Sequence, residues 1–204
     1  MKIAKFLFIP FFLLKLSSLL AQHDVPANIY EEFHPQNLTI SPAIGLNPWP
    51  TSDLVISNLV QWDIKKRLSL VSYTAYTYNT VFLRDFNHIK TDYNYSLSQK
   101  IGVGTTLFTK RASHTFSLLG GIKYNSFKET LENPDFEKVT ASVSTVSPDF
   151  GGMYHLQVGK NKYFFSYRMY LPLYPYPTQR LDITAIDGNI ANVSLEFGLG
   201  VRLK

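Results

Sequence analysis

Residues 192 to 203, Asn-Val-Ser-Leu-Glu-Phe-Gly-Leu-Gly-Val-Arg-Leu, alternate without exception. Val193, Leu195, Phe197, Leu199, Val201 and Leu203 fall on one side, and Asn192, Ser194, Glu196, Gly198, Gly200 and Arg202 on the other. A period of two is the signature of a strand whose faces meet different surroundings. The same alternation recurs along most of the chain after residue 38. Leu54, Ile56, Val60, Trp62 and Ile64 oppose Ser57, Gln61 and Asp63; Ile101, Val103 and Leu107 oppose Gly102, Gly104 and Thr106; Phe150, Tyr154, Leu156 and Val158 oppose Gly151, Met153, His155 and Gln157. Residues 67 to 82 and 138 to 147 alternate less cleanly, and 38 to 46 reads as a first strand. No helical period is sustained after residue 22.

What fills the polar faces decides which solvent each face meets. The water side of a soluble sheet is dense in Lys, Glu and Arg, whereas these faces are mostly Ser, Thr, Asn and Gly with an isolated charge on each. Small polar groups suit a crowded, curved interior, and ring-bearing apolar faces suit a bilayer with aromatic girdles. Charged residues make up 17% of the chain, below the roughly 25% usual for soluble domains. The expected fold is therefore all-β: a single antiparallel up-and-down transmembrane β-barrel with the Leu195 side toward lipid and the Glu196 side toward the lumen. A water-soluble, lipocalin-like carrier is the alternative that the alternation leaves open.

Residues 1 to 21 place Lys2 and Lys5 before an apolar run from Phe6 to Leu14, and Pro10 and Lys15 interrupt it short of a spanning length. This reads as a signal peptide cleaved between Ala21 and Gln22. The expected organisation is residues 1–21 as signal peptide, 22–37 as an N-terminal periplasmic segment and 38–204 as the barrel. Cleavage removes Lys2, Lys5 and Lys15, so 20 basic residues fall to 17 against 15 acids. The near-neutral remainder gives a nucleic-acid partner no support. The chain has no cysteine, so neither a disulfide framework nor a lipidated cysteine is available.

Turn signals set the expected strand number. Residues 63–73, 96–106 and 158–165 share a strand end, a polar or basic turn and a new strand, and so mark one end of the barrel, taken as periplasmic. The other end then holds residues 47–53, 84–92, 109–114, 147–150 and 175–189. The count is about ten strands and requires 128–138 to be an unusually long periplasmic turn; eight strands is the alternative.

With these features the chain resembles the small outer-membrane β-barrel proteins of Gram-negative bacteria, and in its Ala21–Gln22 junction those of Bacteroidota. Glu196, Gly198, Val201 and Leu203 resemble the C-terminal signal read by the barrel-assembly machinery, although Leu203 and Lys204 stand where an aromatic residue usually ends that signal. The resemblance implies an outer-membrane location, lipid and the assembly machinery as partners, and no particular activity.

No catalytic set emerges from the spacing. His23, His34, His88, His114 and His155 are scattered without metal-ligand spacing, so no metal and no cofactor is expected. His114 and Ser117 are three residues apart and fall on opposite faces of a strand, which rules that pair out as a nucleophile and base. The expected role is a non-enzymatic barrel, structural or with a narrow pore or ligand-binding lumen; an outer-membrane lipid-modifying enzyme is second. The lumenal residues singled out are Arg168 and Glu196, placed at similar height on neighbouring strands and expected to pair, assisted by Lys123, His155 and Arg202.

Overall fold

Eight strands run up and down in sequence order and close on themselves: β1 (Leu38–Trp49), β2 (Asp53–Lys65), β3 (Leu68–Tyr78), β4 (Ile89–Phe108), β5 (Ala112–Leu131), β6 (Val139–Val158), β7 (Tyr163–Tyr174) and β8 (Val193–Leu203). The structure is a computed structural model. It describes residues 38–49, 53–65, 67–78, 89–109, 112–132, 137–159, 162–174 and 193–203. The signal peptide, its cleavage between Ala21 and Gln22, and the segment 22–37 lie outside the described residues.

Each strand pairs antiparallel with the next, and β1 returns to β8, with Ile44 opposite Phe197 and Gly45 opposite Glu196. Closure leaves the ring without an unpaired edge, the condition for a sheet to sit in hydrocarbon. The seam is tight. A Cβ on Gly198 would lie 2.0 Å from the Pro42 carbonyl oxygen, and one on Gly45 would lie 2.1 Å from that of Leu195. Glycine is needed at both positions because backbone occupies the space a side chain would take. Between β6 and β7, Gly159 adopts φ 125°, a conformation that favours glycine.

The described residues form eight strands, the alternative count, and the main expectation of about ten is corrected. Two pairs of expected strands are continuous, because β4 runs through the expected turn at 98–100 and β6 runs through the expected loop at 147–150. Both stretches carry turn-like residues, Ser98-Gln99-Lys100 and Ser147-Pro148-Asp149, but their neighbours hold them extended: Gln99 pairs with Ile122, and Asp149 with Gly121. The ends are reassigned accordingly. The link between β4 and β5 falls at the same end as those between β2 and β3 and between β6 and β7, and the link between β5 and β6 falls at the end shared by those from β1 to β2, β3 to β4 and β7 to β8. The long turn that the ten-strand count placed among the short ones thus belongs with the longer connections.

Strand lengths are unequal. β4, β5 and β6 have 20 residues each, whereas the other five have 11 to 13. The described pairing of β3 with β4 ends at Tyr78–Tyr95, and that of β6 with β7 at Phe150–Tyr174. Beyond those points β4 and β5 stay paired from Asn94–Phe127 to Ile89–Leu131, and β5 and β6 from Gly121–Asp149 to Leu131–Val139. The extension is polar where it ends, with a Glu132–Lys138 ion pair at 2.7 Å. That hydrogen-bonded carboxylate holds the Lys138 ammonium pKa above the usual lysine value.

The outward face exposes Ile101, Leu118, Leu199, Leu173 and Tyr163, each at more than 60%. The inward face buries Ser41, Ser69, Thr115, Ser166, Arg168 and Glu196 completely. This is the inverse of a water-soluble barrel. A charge on the apolar face is expected to cost about 2–4 kcal/mol near the bilayer midplane and about 0–1 kcal/mol near its boundary. Leu199→Arg should therefore lower stability by more than Leu203→Arg, as read from urea unfolding in lipid vesicles. Equal effects would contradict this placement of lipid.

Candidate functional site

The inward residues form polar clusters around a hydrophobic plug, and Glu196 is the hub of the central one. Ser57 Oγ donates to Glu196 Oε2, while Tyr73 Oη donates to Oε1 at 2.5 Å and Ser194 Oγ to Oε1 at 2.6 Å. Three hydroxyls from β2, β3 and β8 thus replace the water a carboxylate would hold. Arg168 stands directly across from Glu196 in the β7–β8 register, its Nε 3.5 Å from Oε2, and both side chains are wholly buried.

The two ions are unequally satisfied. Arg168 Nε, Nη1 and Nη2 make no hydrogen bond among the described residues, so the guanidinium depends on the Glu196 charge and on the Tyr73 ring, 6.0 Å away. Removing one partner of a buried pair costs about 3–5 kcal/mol when the other is left uncompensated.

A second buried pair, unrecognised in the sequence, lies one step toward the long-connection end. Lys100 Nζ is 2.7 Å from Asp149 Oδ2, and Tyr170 Oη donates to Asp149 Oδ1 at 2.6 Å. The ammonium lies 4.2 Å from the Tyr170 ring centroid and 5.2 Å from that of Tyr73, and these rings stack 6.0 Å apart. Val55, Leu59, Val71, Ala75, Leu119 and Met153 complete an apolar plug with the two tyrosines. Eight strands make a ring just wide enough for side chains to fill.

Toward the short turns, Gln61 Nε2 donates to Asp63 Oδ1 at 2.8 Å, which fixes its amide orientation. Gln61 Oε1 then faces His155 Nδ1 at 3.2 Å, and His155 Nε2 faces Ser166 Oγ at 3.0 Å. In a neutral imidazole this arrangement puts the proton on Nδ1 and lets Nε2 accept from Ser166. A serine beside a histidine has the elements of an activated nucleophile. Here, however, Ser166 is 0% and His155 1% exposed, and a nucleophile that no substrate reaches performs packing. His114 and Ser117 take opposite faces: His114 points outward and shares a 2.8 Å hydrogen bond with Tyr154 Oη, while Ser117 is buried inward. Among the described residues no group of three or more His, Asp and Glu is gathered to hold a metal ion.

Of the five lumenal residues singled out by sequence, Arg168, Glu196 and His155 lie together, with His155 opposite Arg168 across β6–β7. Arg202 is displaced to the short-turn end, where its Nη2 is 3.4 Å from Gln157 Oε1 and its guanidinium carbon 4.6 Å from the Phe164 ring centroid. Lys123 lies apart from the Arg168–Glu196 pair on β5, opposite Ser98 of β4 and Ser147 of β6. Arg202 and Lys123 thus lie along the lumen from the pair that they were expected to assist. In the C-terminal strand, Glu196 and Gly198 face inward while Val201 and Leu203 face outward, and Gly198 allows the close approach of the seam.

No family model and no curated protein matches the sequence. Solved structures do match the fold. The protein is similar to Ail, the attachment invasion locus protein of Yersinia pestis, an outer-membrane β-barrel, with a TM-score of 0.52 at 11% identity over 83% of this chain and 100% of that one. A weaker likeness, with a TM-score of 0.45 at 10% identity, extends to the N-terminal β-barrel domain of Pseudomonas aeruginosa OprF over 83% of this chain and 98% of that one. At these identities the likeness concerns the fold, an eight-stranded antiparallel barrel.

The imbalance around the hub yields an asymmetric expectation. Glu196→Gln strands the guanidinium and should lower stability by about 3–5 kcal/mol. Arg168→Met leaves the carboxylate its three hydroxyl donors and should be the milder change. Urea-unfolding midpoints of the two variants in lipid vesicles check this order.

Proposed function

We propose that this protein is an integral outer-membrane β-barrel without catalytic activity, closed to ion flow, that serves as a rigid anchor for the β4–β6 extension. The observation that carries this reading is the inverted distribution of the strands: complete burial of charged and hydroxyl groups inside, and exposure of large apolar side chains outside. A water-soluble carrier would meet water with that apolar face, which is unfavourable over so many contiguous residues. The lumen is occupied by Arg168, Tyr73, Leu59, His155, Gln61, Glu196 and Val55, all less than 2% exposed, which supports a closed barrel over an open one. Wide channels need about sixteen strands.

In this reading the short-turn end faces the periplasm, where barrels carry their brief turns, and the extension rises from the outer face. Export through a signal peptide cleaved after Ala21, and delivery to the assembly machinery through Glu196, Gly198, Val201 and Leu203, complete the proposal. Host fractionation should recover the protein with the outer membrane, extractable only by detergent and migrating differently on a gel after heating. In planar bilayers it should show little steady conductance. A large, steady, porin-like conductance would replace the anchor with a passive pore, and recovery in the aqueous fraction would favour the carrier.

A further inference from the structure

Away from the strand ends, the described lipid-facing surface carries a polar row. Asn58 on β2, Thr74 on β3 and Gln99 on β4 all point outward, and the register puts Asn58 opposite Thr74 and Thr74 opposite Gln99. They form an exposed polar row across three strands, with half-buried Ser72 beside it. The row is not at a rim. Along β2 it is bracketed by Ile56 and Val60, along β3 by Leu70 and Tyr76, and along β4 by Leu97 and Ile101. Ile56, Leu97 and Ile101 are 53%, 49% and 68% exposed. On β8, separated from β2 by β1 alone, every outward residue is apolar.

Part of the row is satisfied within the chain, since Thr74 Oγ1 donates to Gln99 Oε1 and Gln99 Nε2 donates to Ser72 Oγ at 3.0 Å. That leaves Gln99 a second N–H and a second lone pair. The Asn58 amide makes no side-chain hydrogen bond among the described residues. Acyl chains offer such groups no partner, and headgroups lie beyond the bracketing apolar residues. Primary amides in hydrocarbon are stabilised by a protein surface with hydrogen-bonding groups at the same depth.

We propose that Asn58, Thr74 and Gln99 form the centre of a two-fold interface through which a second copy of this chain packs laterally in the bilayer. A second copy meets the depth requirement by symmetry, because a two-fold axis along the membrane normal sets each patch against itself at one height. It also meets the chemical requirement. Amides both donate and accept, so the patch is complementary to itself, and the row carries no charge that would repel its duplicate. The proposal rests on the membrane reading above.

The absence of cysteine makes cross-linking specific. Ile56→Cys places a thiol beside the row and leaves its polar groups intact, while Leu199→Cys places one on the apolar β8 face. Each variant of the full chain is reconstituted at high dilution in phosphatidylcholine vesicles, shown to be inserted by its heat-dependent gel migration, and treated with a short bis-maleimide. Ile56→Cys is expected to yield dimer and Leu199→Cys to remain monomeric. Adding Asn58→Leu and Gln99→Leu to Ile56→Cys should reduce the dimer several-fold while insertion persists. Inserted Ile56→Cys protein that cross-links no more than Leu199→Cys overturns the interface alone. Protein that stays in the aqueous phase without heat-dependent migration overturns the membrane reading, and the interface with it.

Discussion

Pairing of β1 with β8 sets the conditions for everything inside and outside the barrel. Once the ends meet, every strand in the ring has a neighbour on both sides, and the radius is fixed by strand number. With eight strands that radius leaves an interior just wide enough for side chains to fill. The interior must therefore be composed as a core, with rings, hydroxyls and ions matched to one another, because no room remains for bulk water to solvate them. Gly45 and Gly198 show how close the closure is: each lies where a neighbouring backbone carbonyl takes the place of a Cβ.

Inside that radius, the arrangement of charges follows from what each polar group has left to bind. Glu196 gathers three hydroxyls, and Asp149 holds an ammonium and a phenol. The cations complete their surroundings with rings, Lys100 against Tyr73 and Tyr170 and Arg202 against Phe164. Rings serve here as both apolar filler and counter-surface for positive charge. This explains how a lumen lined with ions is also a plug.

Facing was legible in the sequence because parity along a strand survives uncertainty about where the strand ends. Counting residues up from the turn near Lys162 also brought Arg168 level with Glu196, and they stand opposite in the structure. Strand ends were not legible in two places, for one physical reason: a filled lumen demands the same small, polar and charged residues that build turns. Lys100 and Asp149 therefore read as turn residues although they form a buried ion pair. The blurred alternation of residues 67 to 78 has a related cause. There the inward face carries plug residues Val71, Tyr73 and Ala75, while the outward face carries Ser72 and Thr74, so both faces are mixed. The residues around Glu196 were individually visible as inward positions, but only the register across four strands shows that they converge.

The hub also constrains when the protein can become itself during assembly. Glu196 receives hydroxyls from Ser57, 139 residues earlier, and from Tyr73, 123 residues earlier. Such contacts are the latest to form and the most sensitive to chain topology. Until the two ends of the chain meet, the carboxylate and guanidinium lack the surroundings that let them leave water. An open sheet would have to keep them hydrated, because burial of an ion without its partners is costly. The buried pair therefore ties strand order to charge: only when β2 and β3 reach β8 does Glu196 have the Ser57 and Tyr73 hydroxyls that stand in for water.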